Sequence, residues 1–230
     1  MSNPVSPAGE IHLWWARVSE AEPHLDRLRH TLNSDEDERA ARFRVEDARQ
    51  RFIVARAVLR SVLGRATGVD PADLVIAYGE HGKPRLPAGG PCFNVSDSGD
   101  FVVVALAAAE LGVDAEVVRP LARQEQLARR ICTRREFEAI KSISEAERDA
   151  ALLRLWTCKE AALKAVGTGL SGGVRNVEID LQPDEPPRLH RLCGEIDHWT
   201  LLPVTFEPTV VCSVVIRGDG WRVGIQPWST

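Results

Sequence analysis

The sequence predicts an α+β protein made of two related lobes. Three observations carry that expectation. The chain has 230 residues, enough for one large domain or two small ones around a sizeable core. Each half reads strand, then helices, then strands. Between the halves the apolar run FVVVALAAA closes one unit and LGVDAEVV opens the next, which sets the lobes at residues 1–109 and 110–230.

GEIHLWWARV opens with apolar and polar residues in rough alternation, the pattern of a strand. SDEDERAARF starts a helix, with Ser34 as N-cap and acids in the first turn, where the helix dipole favours them. DARQRFIVARAVLRSVLG is the strongest helix of the first half. Phe52, Ala55, Val58, Leu59, Val62 and Leu63 recur there at three- and four-residue steps, and Gly64 is the expected stop. PADLVIAYGEHGKPRL gives a short strand and a Gly-Pro turn, and FVVVALAAA a strand buried on both faces. From Glu110 onward, LGVDAEVV reads as a strand and LARQEQLARRI and CTRREFEAIKS as helices. SEAERDAALLRLWTCKEAALKAVG is a long helix opened by a capping-box pattern, Ser144 to Glu147. VRNVEIDL, HWTLLPVTF, TVVCSVVIRG and WRVGIQPW are strands and turns, with DEPPRLHR as a Pro-rich interruption.

At 44% hydrophobic and 27% charged, the composition is that of an ordinary globular protein. MSNPVSPAGE has neither a basic start nor an apolar stretch, and no run is long enough to span a bilayer, so the cytoplasm is expected and a membrane partner is not. The five scattered cysteines form no C-x-x-C or Cys/His cluster, which points to buried reduced thiols rather than zinc or disulfides. A net charge of −4 argues against a general nucleic-acid binder. Basic residues nevertheless cluster in ERAARFRVEDARQRF and LARRICTRR, which suits a small polyanion.

In GVDAE, strand geometry sends Asp114 and Glu116 to one face and Val113, Ala115 and Val117 to the other. Two carboxylates side by side on a mostly buried strand repel each other. A cation is therefore expected, most simply Mg²⁺, which takes oxygen ligands and keeps room for phosphate and water; the plainer reading is an exposed edge with two solvated acids. On the long helix Leu152, Trp156, Leu163 and Val166 form an apolar stripe, with Lys159, Glu160 and Lys164 on or beside it. Glu160 and Lys164 have the spacing of an ordinary surface ion pair. If that helix packs on the GVDAE strand, Glu160 becomes a third carboxylate at the same place. GTGLSG, Gly167 to Gly172, spells G-x-G-x-x-G, but the dinucleotide fingerprint needs a strand before it and a helix after it. The order here is reversed, so these glycines end the helix and form a tight loop. GKP places Lys83 in a rigid turn, and Arg39, Arg49, Arg51 and Arg56 either form a solvated helix face or grip phosphate. No P-loop occurs, and no G-x-S-x-G elbow surrounds Ser96 or Ser98, so a serine hydrolase is not supported.

Taken in order, GKP, FNVSDSGD, GVDAE and LWTCKEAALKAVGTGL resemble the motifs of the surfactin-type 4′-phosphopantetheinyl transferases. That family's pattern runs GKP, F-N-[IVL]-S-H-S, G-[IV]-D-[IV]-E and W-x-x-K-E-[AS]-x-x-K-x-x-G-x-G-L, and the resemblance covers Glu38 to Leu170. It implies a pseudo-twofold monomer of two α+β lobes with coenzyme A in the cleft between them. It implies transfer of the phosphopantetheine arm to a serine of an acyl or peptidyl carrier protein, with adenosine 3′,5′-bisphosphate leaving. Carried over by motif, Asp114, Glu116 and Glu160 hold Mg²⁺ or Mn²⁺, and Glu160 is also the base for the serine. Lys164 meets the diphosphate, Lys83 with Arg39 and Arg51 holds the 3′-phosphate end, Ser96 lines the nucleotide pocket, and Lys159 is a further cofactor contact.

Asp97 stands where the family pattern has a histidine that contacts the diphosphate. A carboxylate about 4 Å from a phosphate charge meets repulsion of order 4 kcal/mol at an effective dielectric of about 20. Three arrangements relieve it: Asp97 coordinates the metal, pairs with an arginine, or turns outward. The resulting expectation is an active transferase for polyketide, nonribosomal peptide or fatty-acid carriers. The alternative, which Asp97 favours, is a homologue that binds coenzyme A or a carrier without transfer.

Overall fold

A computed structural model of the chain describes residues 9–169, 173–181, 185–192, 194 and 198–229. The first lobe begins with strand β1 (Glu10–Arg17), followed by the short helices α1 (Val18–Ala21) and α2 (Leu25–Arg29). Helix α3 (Ser34–Ala41) and the 22-residue helix α4 (Glu46–Thr67) come next. A small ladder of β2 (Ala77–Tyr78) and β3 (Pro84–Arg85) then leads to the hairpin of β4 (Cys92–Ser98) and β5 (Phe101–Ala107). The second lobe repeats this order. It runs β6 (Leu111–Val117), α5 (Gln124–Ile131), α6 (Arg134–Ser142) and the 22-residue α7 (Glu145–Val166). The ladder of β7 (Val177–Asp180) and β8 (Arg188–Leu192) precedes the hairpin of β9 (Trp199–Val204) and β10 (Val210–Arg217).

The sheets match as well. Antiparallel order is β1-β5-β4 in one lobe and β6-β10-β9 in the other. Their inner faces pack together through Ile11, Leu13 and Val103 on one side and Leu111, Val113, Val214 and Ile216 on the other. Helix α4 covers the outer face of the first sheet and α7 that of the second, giving four layers. This explains β5, buried along its whole length between α4 and the second sheet. One strand breaks the repeat. The final strand, β11 (Arg222–Pro227), returns to pair parallel with β1, so a strand from the 110–230 half completes the sheet of the first lobe.

Several boundaries differ from the sequence reading, each for a local reason. Asn33, not Ser34, caps α3: its side chain accepts the Glu36 N–H at 2.9 Å while Glu36 reaches back to the Asn33 N–H. Gly64 does not stop α4. It is buried where a side chain would meet the Val69 carbonyl at 2.9 Å, and the helix runs on to Gly68, a left-handed cap at φ 75°. Ser144 does sit at the N-cap of α7, but its hydroxyl donates to Glu147 at 2.5 Å instead of accepting a helix N–H. Part of the Pro-rich interruption is strand, since β8 begins at Arg188. Gly167 ends α7 as expected, while Leu170 to Gly172 lie outside the described residues. Cys132, Cys158 and Cys212 are buried free thiols and Cys92 a partly buried one; Cys193 is outside the described residues. No described helix is long and apolar enough to cross a membrane.

Candidate active site

The two sheets meet where β4 runs beside the unpaired edge of β6, and FNVSDS is built for that seam. Asn94, Ser96 and Ser98 share one face at period two. Asn94 Oδ1 accepts the Val113 N–H at 3.0 Å, Ser96 Oγ that of Ala115 at 3.2 Å and Ser98 Oγ that of Val117 at 3.2 Å. Side chains thus complete the hydrogen bonding that no neighbouring strand supplies. The same two hydroxyls hold the acids of GVDAE, Ser96 donating to Asp114 Oδ1 at 2.8 Å and Ser98 to Glu116 Oε2 at 2.7 Å.

Helix α7 lies directly on β6. A Cβ on Gly112 would stand 2.2 Å from the Ala161 carbonyl and 2.4 Å from the Ala165 nitrogen, so glycine is what permits the approach. The approach decides the partner of Lys164. Its ammonium donates to Asp114 Oδ1 at 2.7 Å, the Val113 carbonyl at 3.1 Å and Ser96 Oγ at 3.3 Å. The one-turn pair with Glu160 is replaced by this contact between elements. Glu160 Oε1 and Asp114 Oδ2 are therefore left buried, with no hydrogen-bond partner among the described residues. Burial raises the pKa of Asp114 against the opposing pull of Lys164, and burial followed by the Asp114 charge raises that of Glu160.

Two orphaned carboxylate oxygens beside one ammonium fit a hard cation with oxygen ligands. Glu116 is engaged elsewhere, by Ser98 and by Arg119 at 2.8 Å. Among the described residues no three His, Cys, Asp or Glu side chains are grouped as a metal site. The free oxygens of Asp114 and Glu160 are of the donor type such an ion takes.

Asp97 projects from the other face of β4, and its carboxylate pairs with Arg51 Nε at 2.9 Å. Pairing with an arginine is thus the arrangement adopted. Arg51 also reaches the Gly99 carbonyl at 3.4 Å, while Arg39 lies 5.0 Å over the Phe52 ring. Lys83 bridges the lobes, donating to the Ala165 carbonyl at 2.6 Å and to Glu110. It lines a cavity of about 370 Å³ with Pro84, Phe93 and Glu110.

Two expected cofactor contacts are corrected. Lys159 does not face the cleft. It is fully buried in the second lobe, donating to Glu136 at 2.7 Å and to the carbonyls of Ile131, Val174 and Val177. Ser96 is buried too, its hydroxyl already committed to Asp114, Ala115 and Lys164. Sequence reasoning missed Asn94, Ser98 and Arg119 as partners of the acid strand. The period-two polar pattern of FNVSDS was a usable signal for the first two; Arg119 had none.

Residues 17–109 match the family described as 4′-phosphopantetheinyl transferase, N-terminal, and residues 110–215 the 4′-phosphopantetheinyl transferase superfamily. The chain is 36% identical over 218 residues to the 4′-phosphopantetheinyl transferase HetI of Nostoc sp., spanning 93% of this chain and 90% of that protein. It is 26% identical to the 4′-phosphopantetheinyl transferase Sfp of Bacillus subtilis, over 73% of this chain and 77% of the relative. Among solved structures, a Bacillus anthracis holo-(acyl-carrier-protein) synthase in complex with CoA (3′,5′-ADP) aligns at 20% identity and TM-score 0.41, covering 48% of this chain and 97% of that one.

Proposed function

This chain belongs to the surfactin-type branch of the 4′-phosphopantetheinyl transferase superfamily, and from that premise we propose how its residues divide the work of modifying a carrier protein. The carrier's serine oxygen attacks the β-phosphorus of coenzyme A, the bond to adenosine 3′,5′-bisphosphate breaks, and Glu160 takes the serine proton. The observation that carries this reading is the pair of buried, partnerless oxygens, Asp114 Oδ2 and Glu160 Oε1, beside Lys164. Asp114, Glu116 and Glu160 would hold Mg²⁺, which when bound would supply positive charge for the diphosphate. Lys164 orients Asp114 and adds its own charge on the same side. The cavity beside Lys83 takes the nucleotide end of coenzyme A. The exposed Arg130, Arg134 and Arg135 suit an acidic carrier of polyketide, nonribosomal peptide or fatty-acid type. One chain supplies both walls of the cleft, which supports a monomer.

The test is intact-mass spectrometry of an apo carrier incubated with this protein, coenzyme A and Mg²⁺. A gain of one phosphopantetheine unit, lost on chelation, is expected. No gain across peptidyl, polyketide and fatty-acid carriers supports the second reading instead, a homologue that binds without transfer. Asp97 in the histidine position is what favours that reading. Because Asp97 and Arg51 form a pair, we assign the phosphate contact to Arg51 and a positioning role to Asp97. Asp97→His is then expected to leave kcat/KM unchanged or lower, and Arg51→Ala to raise KM for coenzyme A about tenfold. A tenfold or larger gain from Asp97→His would show that the natural enzyme is a weakened transferase.

A further inference from the structure

In the first lobe the place equivalent to the acid site is a cavity, and we propose that it binds a small planar aromatic carboxylate. The proposal stands apart from the transfer reaction and rests on the internal repeat. The long helices align from Glu46 on Glu145 to the left-handed caps Gly68 on Gly167. The first strands align by their shared inner core, Ile11 and Leu13 on Leu111 and Val113. His12 then corresponds to Gly112, Trp14 to Asp114, Ser61 to Glu160 and Arg65 to Lys164.

In the second lobe Gly112 lets α7 press its Ala161 and Ala165 backbone onto β6. An imidazole stands at that position in the first lobe, and α4 is held off β1. The helix face of Val62, Arg65 and Ala66 roofs a space of about 210 Å³ over His12, Trp14 and Gln226. That volume is below the range of sites for drug-sized ligands and suits one or two fused rings.

The lining chooses the chemistry. All three acids that would attract a metal are replaced, by Trp14, Ala16 and Ser61. The indole of Trp14 lies 5.7 Å from the His12 ring at a tilt of 32°, and the two rings line the cavity together with apolar Val62 and Ala66. Arg65 keeps the cation, but no hydrogen bond or ion pair engages it among the described residues, whereas its counterpart Lys164 is tied to Asp114. Glu10, the acid lining the same cavity, already has an interaction partner. An exposed, unpaired guanidinium lining the same cavity as the Trp14 and His12 rings is complementary to a ring bearing one carboxylate.

The probe is 2-naphthoate, with the neutral 2-naphthalenemethanol as control, titrated into the full chain while the Trp14 indole N–H is followed by NMR. A saturating shift is expected with the acid, with the alcohol binding about tenfold weaker. Arg65→Gln brings the acid down to the alcohol's affinity, and Ala66→Leu, which fills the space, abolishes the shift. Both variants keep the wild-type melting profile and, in the intact-mass assay without probe, the wild-type transfer rate. No saturating shift at Trp14, equal binding of acid and alcohol, or unchanged binding in Ala66→Leu would overturn the proposal. Transfer to the carrier is read separately, so failure here leaves the transferase reading intact.

Discussion

In the first lobe Glu36 closes the capping box of α3 and accepts hydrogen bonds from Arg56 and Arg60 of α4. In the second, Glu136 closes the capping box of α6 and accepts from Lys159 of α7, in the alignment position of Arg60. The scaffold device is thus repeated: a buried glutamate at the third helical position, bonded to a buried cation of the long helix. What is not repeated is the chemistry on the strand-facing side of that helix, where acids and glycine in one lobe become tryptophan, serine and histidine in the other. The lobes show that an ion pair locking helix to helix and a site facing the cleft are separable. Residues on one helix, even neighbours such as Lys159 and Glu160, serve one or the other according to which face they occupy.

The sharpest contrast is catalytic. Glu160→Ala should lower transfer to a carrier by about 10³-fold or more, while Ser61→Ala, its counterpart, leaves the rate unchanged. Steady-state rates from the mass assay decide this, and retained activity in Glu160→Ala would remove Glu160 as base. Next come the buried pairs. Glu136→Gln leaves the Lys159 charge without its partner and should cost about 3–5 kcal/mol in urea unfolding, most of it recovered by adding Lys159→Met. A Glu136→Gln variant as stable as wild type, or a Lys159→Met enzyme whose only defect is KM for coenzyme A, would restore Lys159 to the cofactor.

A smaller effect is expected at the strand position that separates the lobes. Gly112→Ala forces a methyl against the α7 backbone and should destabilise by about 2–3 kcal/mol. His12→Ala, beside the cavity, should cost less than about 1 kcal/mol. Equal penalties would mean that helix-to-strand spacing does not distinguish the lobes. A separate effect is expected in alkali. Burial, and then the Glu136 carboxylate, push the Cys132 thiol up to about 11 from 9.0. The unfolded chain therefore loses this proton first, so the stability contributed is present below pH 9 and lost as pH rises through about 11. Across that window Cys132→Ala should lose about 1–2 kcal/mol less than wild type, provided the thiol titrates in the folded state as its burial dictates. An identical slope in the two proteins would refute that assignment.

Helices and strands were largely legible because their signals are local. The apolar steps of Phe52 to Leu63 identify α4 whatever packs on it, and the alternation in GVDAE places Asp114 and Glu116 together before any neighbour is known. Misreadings fell where a local signal had two meanings. Gly64 has the character of a stop but permits a close approach to Val69, and Asn33 and Ser34 are both good caps, of which only one has Glu36 three residues on. At the site, motif order indicated the right segments without indicating the direction of each side chain.

The sequence by itself determined the family, the α+β order of both lobes and the residue types available to the site, because motifs and periodicity are properties of consecutive residues. Only the tertiary structure decided that Lys164 serves Asp114 instead of Glu160, that Lys159 turns into the core, that Arg51 answers Asp97, and that β11 returns to the first sheet. Each of these is set by which element lies opposite. Spacing within one helix or strand fixes a face, whereas the partner of that face comes from residues tens to hundreds of positions away, chosen by how the layers pack and which buried charges must be met.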